Sequence, residues 1–258
     1  MRFLVRAHAP QRCELVHATY SGKVGSIYAH GLRISPATKR ATAYVERGKF
    51  SDAREEAYRR SEETIEESRR IQRPDVPTRT HAVFLSPADG YVFLDEPSLA
   101  YSVSERHEKG IFDSAENRYD EYGNVIPDFG FGKDVLLLVD ADKIPCKCGV
   151  GDGDRSDEVF RAYLNEIEPP RGFRIADAEP PDAARAFWRT AEPFDCKTYD
   201  PSRSWLTEEQ VKAEQDAGGS NFLEVGDRYH EEPEVWCPCV VPPDAIVAKY
   251  DKLNRPPG

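Results

Sequence analysis

Four groups of side chains in this 258-residue chain have the type and spacing for chemistry. The first is His17 and Thr19, one residue apart and preceded by the apolar pair Leu15-Val16. An imidazole and a hydroxyl at the end of a buried strand are well placed to touch a ligand, because both donate and accept hydrogen bonds. The plainer alternative is a histidine that bonds local backbone. The second group is Glu231, Glu232 and Glu234, at the entrance to the apolar run Val235-Trp236-Cys237. Carboxylates there can stabilise developing positive charge or deprotonate an acceptor. Burying three together requires a cationic partner; otherwise the run is a solvated acidic turn. The third group is two Cys-x-Cys pairs, Cys146/Cys148 and Cys237/Cys239, whose four thiolates can hold a structural zinc ion tetrahedrally. The alternative is buried small side chains with a few exposed thiols; Cys13 and Cys196 have no evident partner. The fourth is Asp140-Ala141-Asp142, which follows an apolar strand and has the spacing of a Mg²⁺ site. No glycine-rich phosphate loop precedes it, so a polar strand end is the default.

These groups need elements to position them. Leu15-Val16 reads as a short buried strand with His17, Ala18 and Thr19 at its tip. Val24, Ile27 and Tyr28 follow at helical spacing, and Gly31 stands where a left-handed C-cap is expected. Residues 1–12 read as an edge strand or a loose arm, and 35–50 as a loop. Residues 51–72 read as a helix capped by Ser51, with Glu55–Arg59 and Glu66–Arg70 pairs. Its thin apolar face (Ala53, Ala57, Ile65) predicts a solvated surface helix. Pro74 and Pro77 end it. Residues 79–86 read as a strand, 96–108 as a helix starting near Pro97, and 110–133 as a long loop. Five successive apolar residues at 135–139 predict a centre strand covered on both faces. Residues 149–157 read as a flexible acidic loop, with Ser156 capping a helix to Ile167. Further helices are expected at 181–190 and 207–217, and short strands at 221–225, 234–241 and 246–250.

The length suits one large domain or two small ones. A formal charge of −11 argues against a general nucleic-acid grip, although a local basic groove stays possible. No apolar run is long enough to span a membrane. The charged N-terminus is a poor signal peptide, so a cytoplasmic protein is expected. In that compartment six cysteines are thiols or metal ligands rather than disulfides.

His17, Thr19, Ile27, Gly31 and Leu32 together form a pattern that resembles the first motif of the ADP-ribosyltransferase superfamily. That superfamily includes diphtheria-toxin-like and poly-ADP-ribose-polymerase-like enzymes and RNA 2′-phosphotransferases. The glutamate–strand–proline–isoleucine ending at 231–250 resembles the superfamily's catalytic-glutamate strand. Glu234 matches best because it leads the apolar run, and Glu232-Pro233-Glu234 resembles the Glu-x-Glu pair of the arginine-modifying branch. The strand at 81–86 resembles the middle motif, but the usual tyrosine position holds Val83 or Phe84. Tyr91, then Tyr101, are the substitutes. Arg79 and His81 also come near; a second histidine is similar to the phosphotransferase branch.

The resemblance implies an α+β fold: a split, mostly antiparallel sheet with flanking helices. It implies one domain over 1–258 with helical or loop insertions at 35–78 and 149–220. NAD⁺ would be the substrate, held by His17, Thr19, Tyr91 or Tyr101, and His81. Glu234, with Glu232, would stabilise the oxocarbenium-like transition state as nicotinamide leaves. The acceptor is open, and so is a role as toxin or defence protein. Two alternatives belong to other classes: a non-catalytic, zinc-braced binding module, and an Asp-x-Asp metal-dependent transferase or hydrolase.

Overall fold

Alternation of side chains along the strands builds the core. In the run Val135–Val139, Leu136 and Leu138 turn to one face of the sheet, beside Val16 and Ala88. Val135, Leu137 and Val139 turn to the other, beside Leu15, Val83, Leu85, Val150 and Val235. A strand apolar at every position is stable only when both faces are covered, and all five residues are buried. A computed structural model of the chain describes residues 13–37, 51–88, 91–94, 99–102, 118–119, 125–126, 135–167, 178–199 and 233–252.

The strands in chain order are β1 (Glu14–Thr19), β2 (Ser35–Pro36), β3 (His81–Pro87), β4 (Tyr91–Leu94), β5 (Leu99–Ser102), β6 (Arg118–Tyr119), β7 (Val125–Ile126), β8 (Val135–Asp140), β9 (Cys148–Asp152), β10 (Glu192–Phe194), β11 (Pro233–Cys237) and β12 (Ile246–Lys252). The α-helices are α1 (Ser21–His30), α2 (Asp52–Gln72), α3 (Gly153–Ile167) and α4 (Pro180–Thr190). One sheet runs β10-β9-β11-β3-β1-β8-β12-β5-β4, with β2 on β3; β6 and β7 form a separate pair. Among the described pairings only β12–β5 is parallel. The architecture is therefore mixed α and β around a mostly antiparallel sheet.

Helices α2, α3 and α4 pack on one another and cover the face of the sheet that carries Ala82 and Trp236. Large aromatics on α4 fill the space left by small residues on α2. Trp188 is fully buried and donates its Nε1–H to the Ile65 carbonyl at 2.7 Å. It meets Trp236 edge-to-face at 5.9 Å. The helix at 52–72 is capped by Ser51, whose Oγ accepts from the Arg54 N–H at 3.3 Å. It is not the solvated helix its charge suggests: Ala57, Ser61, Glu62 and Ile65 are buried. The two stretches read as insertions, 35–78 and 149–220, contribute α2, α3 and α4 to this covering layer.

Several local expectations change. His17, Ala18 and Thr19 lie within β1, not beyond it, because all six residues of β1 pair with β8. Gly31 does cap α1 with a positive φ of 75°, but its ψ of −178° is extended rather than left-handed helical. Only glycine fits there, since a Cβ would overlap the Val241 carbonyl oxygen. That carbonyl accepts from the Leu32 N–H at 2.9 Å, and the Val241 N–H returns a bond to Leu32. Residues 149–152 are a buried strand, not a flexible loop, and α3 begins at Gly153. The glycines serve packing: a Cβ on Gly149 would lie 2.5 Å from the Trp236 ring, and one on Gly151 would lie 3.3 Å from the Phe187 ring. Ser156 sits in the first turn of α3 and donates to the Gly153 carbonyl at 2.7 Å. Residues 99–102 form a strand, not a helix. The elements expected at 1–12, 207–217 and 221–225 lie outside the described residues. Among the described residues no helix is long and apolar enough to cross a membrane.

Candidate active site

The sheet opens between β1 and β3. These strands pair at Leu15↔Pro87 and Val16↔Ser86 only, while β1 stays paired with β8 along its whole length. Beyond Val16 the side chain of His17 takes over from the ladder. Its Nδ1 lies 3.0 Å from the Phe84 carbonyl oxygen, and because a carbonyl only accepts, Nδ1 is the protonated nitrogen. Nε2 is then the acceptor in the neutral ring. Thr19 is buried two residues further along. Strand alternation puts both on the side of β1 that carries Leu15.

Glu234 stands on β11, the other neighbour of β3. Val235 opposes Leu85, so Glu234 falls opposite Ser86, in the last rung before the sheet opens. β1 and β11 flank β3 and so lie about 10 Å apart. Alternation directs Glu234 to the helix-covered side, with Trp236. There its Oε1 is 2.9 Å from Nη2 of Arg79. Arg79 also lies 3.7 Å from Glu62 of α2 and close to the rings of Phe84 and Phe187, at 5.3 and 5.1 Å. Its side chain is 6% exposed. Burial opposes its charge, but Glu234 and Glu62 more than offset that, and its pKa lies above the ordinary arginine value. Nε and Nη1 of Arg79 have no hydrogen-bond partner among the described residues. This is a cationic partner for the half-buried carboxylate at the β11 entrance.

The structure therefore brings His17 to the Phe84 carbonyl and Arg79 to Glu234 and the Phe84 ring, with the histidine and the glutamate on opposite sides of the sheet. Tyr91 and Tyr101 do not join them. They lie on β4 and β5, and β8 and β12 separate β5 from β1. At sheet spacing β5 is about 14 Å from β1. His81 is exposed at the far end of β3, where it pairs with Pro36. Glu232 and Glu231 lie outside the described residues. Glu62 gave no signal in sequence, because one glutamate among many on a charged helix looks like the rest.

Asp140 and Asp142 form a turn. The Asp140 carboxylate accepts the Asp142 backbone N–H at 3.2 Å and starts a short 3₁₀ helix, the polar strand end expected by default.

The cysteines correct the expectation of free thiols. Cys13 pairs with Cys196, Cys146 with Cys239 and Cys148 with Cys237, at Cα–Cα separations of 5.5, 6.2 and 4.5 Å. The four cysteines read as one zinc-ligand set do meet, as two disulfides between β9 and β11 or just beyond their ends. Among the described residues no group of three or more free ligand side chains could hold a metal. Disulfides of this kind persist in oxidising surroundings. No family model, no curated protein and no solved structure matches the chain.

Proposed function

We propose that the chain is an NAD⁺-dependent ADP-ribosyltransferase, releasing nicotinamide and passing ADP-ribose to an acceptor still to be found. The observation that carries the reading is His17 at the point where β1 and β3 part. There an imidazole with a defined tautomer reaches the Phe84 carbonyl where the ladder ends, with a buried hydroxyl two residues further along the strand. In this role His17 and Thr19 hold ribose hydroxyls and the carboxamide, and a carboxylate stabilises the oxocarbenium-like charge at ribose C1′. Glu234 is the candidate on the neighbouring strand. Its pairing with Arg79 directs it to the helix side, so Glu231 and Glu232 are tested beside it.

The test is NAD⁺ binding by calorimetry with nicotinamide release in the same samples. Wild type is compared with His17→Ala and with Glu231→Gln, Glu232→Gln and Glu234→Gln. Binding lost in His17→Ala, and release lost in one glutamine variant that still binds, support the reading. No binding at millimolar NAD⁺ ends it. In that case a braced, non-catalytic binding module becomes the better account, and the cross-links between β9 and β11 are the observation in its favour.

A further inference from the structure

We propose that Cys146, Cys148, Cys237 and Cys239 form a redox-gated zinc site, closed as two disulfides when oxidised and open to one Zn²⁺ as a tetrathiolate when reduced. The proposal is independent of the enzymatic reading. The register of β9 on β11 carries it. Trp236 opposes Gly149. One residue further on, Cys237 falls opposite Cys148, and two beyond that Cys239 falls opposite Cys146. Residues two apart on a strand project to the same face, which puts Cys148 and Cys237 on the side of Val150 and Val235. Cys146 and Cys239, beyond the strand ends, pack against the same apolar cluster and are bridged to each other.

The two rungs differ in a way that suits ion capture. The inner pair is buried, Cys148 at 5% and Cys237 at 0% exposure. The outer pair is half-buried and stands in bends beyond the strand ends. Backbone not tied to the ladder leaves the outer sulfurs room to close over the inner ones. Four thiolates at about 2.3 Å from the ion are the closed coordination of a structural zinc site. All four side chains join the apolar cluster of Leu15, Val83 and Val235, which keeps water from the inner sulfurs.

The chemistry balances. Each disulfide takes two electrons from a thiol or phosphine reductant. The S–S bond breaks, and two protons complete two thiols. The reductant leaves as its own disulfide, or as a phosphine oxide with oxygen from water. One Zn²⁺ then replaces the four thiol protons, so binding releases protons. A small-molecule disulfide reverses this by thiol–disulfide exchange: for each bridge it accepts two electrons and leaves as two thiols, the protein S–S bond forms, and the ion, having lost its ligands, departs. The ambient potential sets which form is populated.

The test uses the full chain, reduced without oxygen by a water-soluble phosphine, supplied with Zn²⁺ or Co²⁺ and then desalted. The expected result is about one zinc per chain, and a Co²⁺ form with the visible absorption of a tetrahedral thiolate site. The oxidised chain takes up neither. Cys146→Ser/Cys239→Ser weakens zinc binding at least about tenfold, and Cys13→Ser/Cys196→Ser leaves it unchanged. A reduced wild type that carries no zinc overturns the proposal. So does a Cys13→Ser/Cys196→Ser chain that loses zinc as fully. Both deciding measurements stand even where the Cys146→Ser/Cys239→Ser chain misfolds.

Discussion

Arg79 and Glu234 form an ion pair at 2.9 Å in which the cation is almost wholly buried and the carboxylate is 28% exposed. The asymmetry fixes which partner matters more for stability. Removing the guanidinium takes away the buried cation that lies 2.9 Å from Glu234 and 3.7 Å from Glu62, itself 5% exposed. Loss of one partner of a buried pair costs about 3–5 kcal/mol. Arg79→Met should therefore lower unfolding stability by that amount in urea titrations, and Glu234→Gln by clearly less. Equal losses in the two variants would show that Arg79 does not depend on burial for its importance.

Gly149 is predicted to tolerate no side chain. Its missing Cβ is what admits the Trp236 ring, and overpacking of this kind costs about 1–3 kcal/mol. Gly149→Ala should lower the melting temperature and disturb the near-ultraviolet signal of the tryptophans. An unchanged spectrum would mean that the ring does not lie over Gly149.

Acid should weaken the chain through Glu66. Burial works to raise its pKa, but hydrogen bonds from Arg69 and Thr78 and the charge of Arg69 outweigh that, so its pKa lies below the ordinary value. The contacts are Thr78 Oγ1 at 2.8 Å and Arg69 Nη2 at 2.9 Å. Protons bind first to the unfolded chain, where a glutamate has its usual pKa of about 4.3. The stabilisation is thus complete above that pH and is lost as pH falls through the lower folded value. The stability gap between wild type and Glu66→Gln, measured by urea midpoint, should be full at pH 7 and shrink below about pH 4. A gap that does not change with pH would exclude the carboxylate as the cause.

Opening the Cys13–Cys196 bridge should cost about 2–5 kcal/mol, because it closes a long loop. The two cysteines are 183 positions apart. Cys13→Ser/Cys196→Ser should unfold at lower urea concentration than wild type under non-reducing conditions. Coincident unfolding curves would show that the bridge adds nothing.

Much of the sheet was legible because its strands announce themselves by composition. The run at 135–139 could only be central, and the strand at 81–86 and the helix at 51–72 have their own punctuation in proline and serine. The stretch at 149–157 misled because glycine has two uses. It permits flexibility, and it also permits another group to approach closely; only Trp236 and Phe187, distant in sequence, reveal the second use here. Residues 99–102 misled because Pro97 suits a helix start, whereas pairing with β4 and β12 makes a strand. His17 was readable as a candidate ligand contact, but its bond to Phe84 depends on two strands parting. The link from Glu234 through Arg79 to Glu62 was hidden, since side chains of α2, the approach to β3 and β11 meet only through tertiary packing. The disulfides were missed because the N-terminus suggested a reducing compartment, and strand register, not spacing, aligned the cysteines.

The three bridges interlace. Cys13–Cys196 and Cys146–Cys239 overlap along the chain, and Cys148–Cys237 lies within the second of these spans. The polypeptide from Cys13 to Cys239 is consequently a closed covalent circuit. A protease that cuts any single peptide bond between these residues produces two fragments that cannot separate until every bridge spanning the cut is reduced. Nicked and intact chains would migrate alike in size under denaturing conditions, and only a reductant would tell them apart.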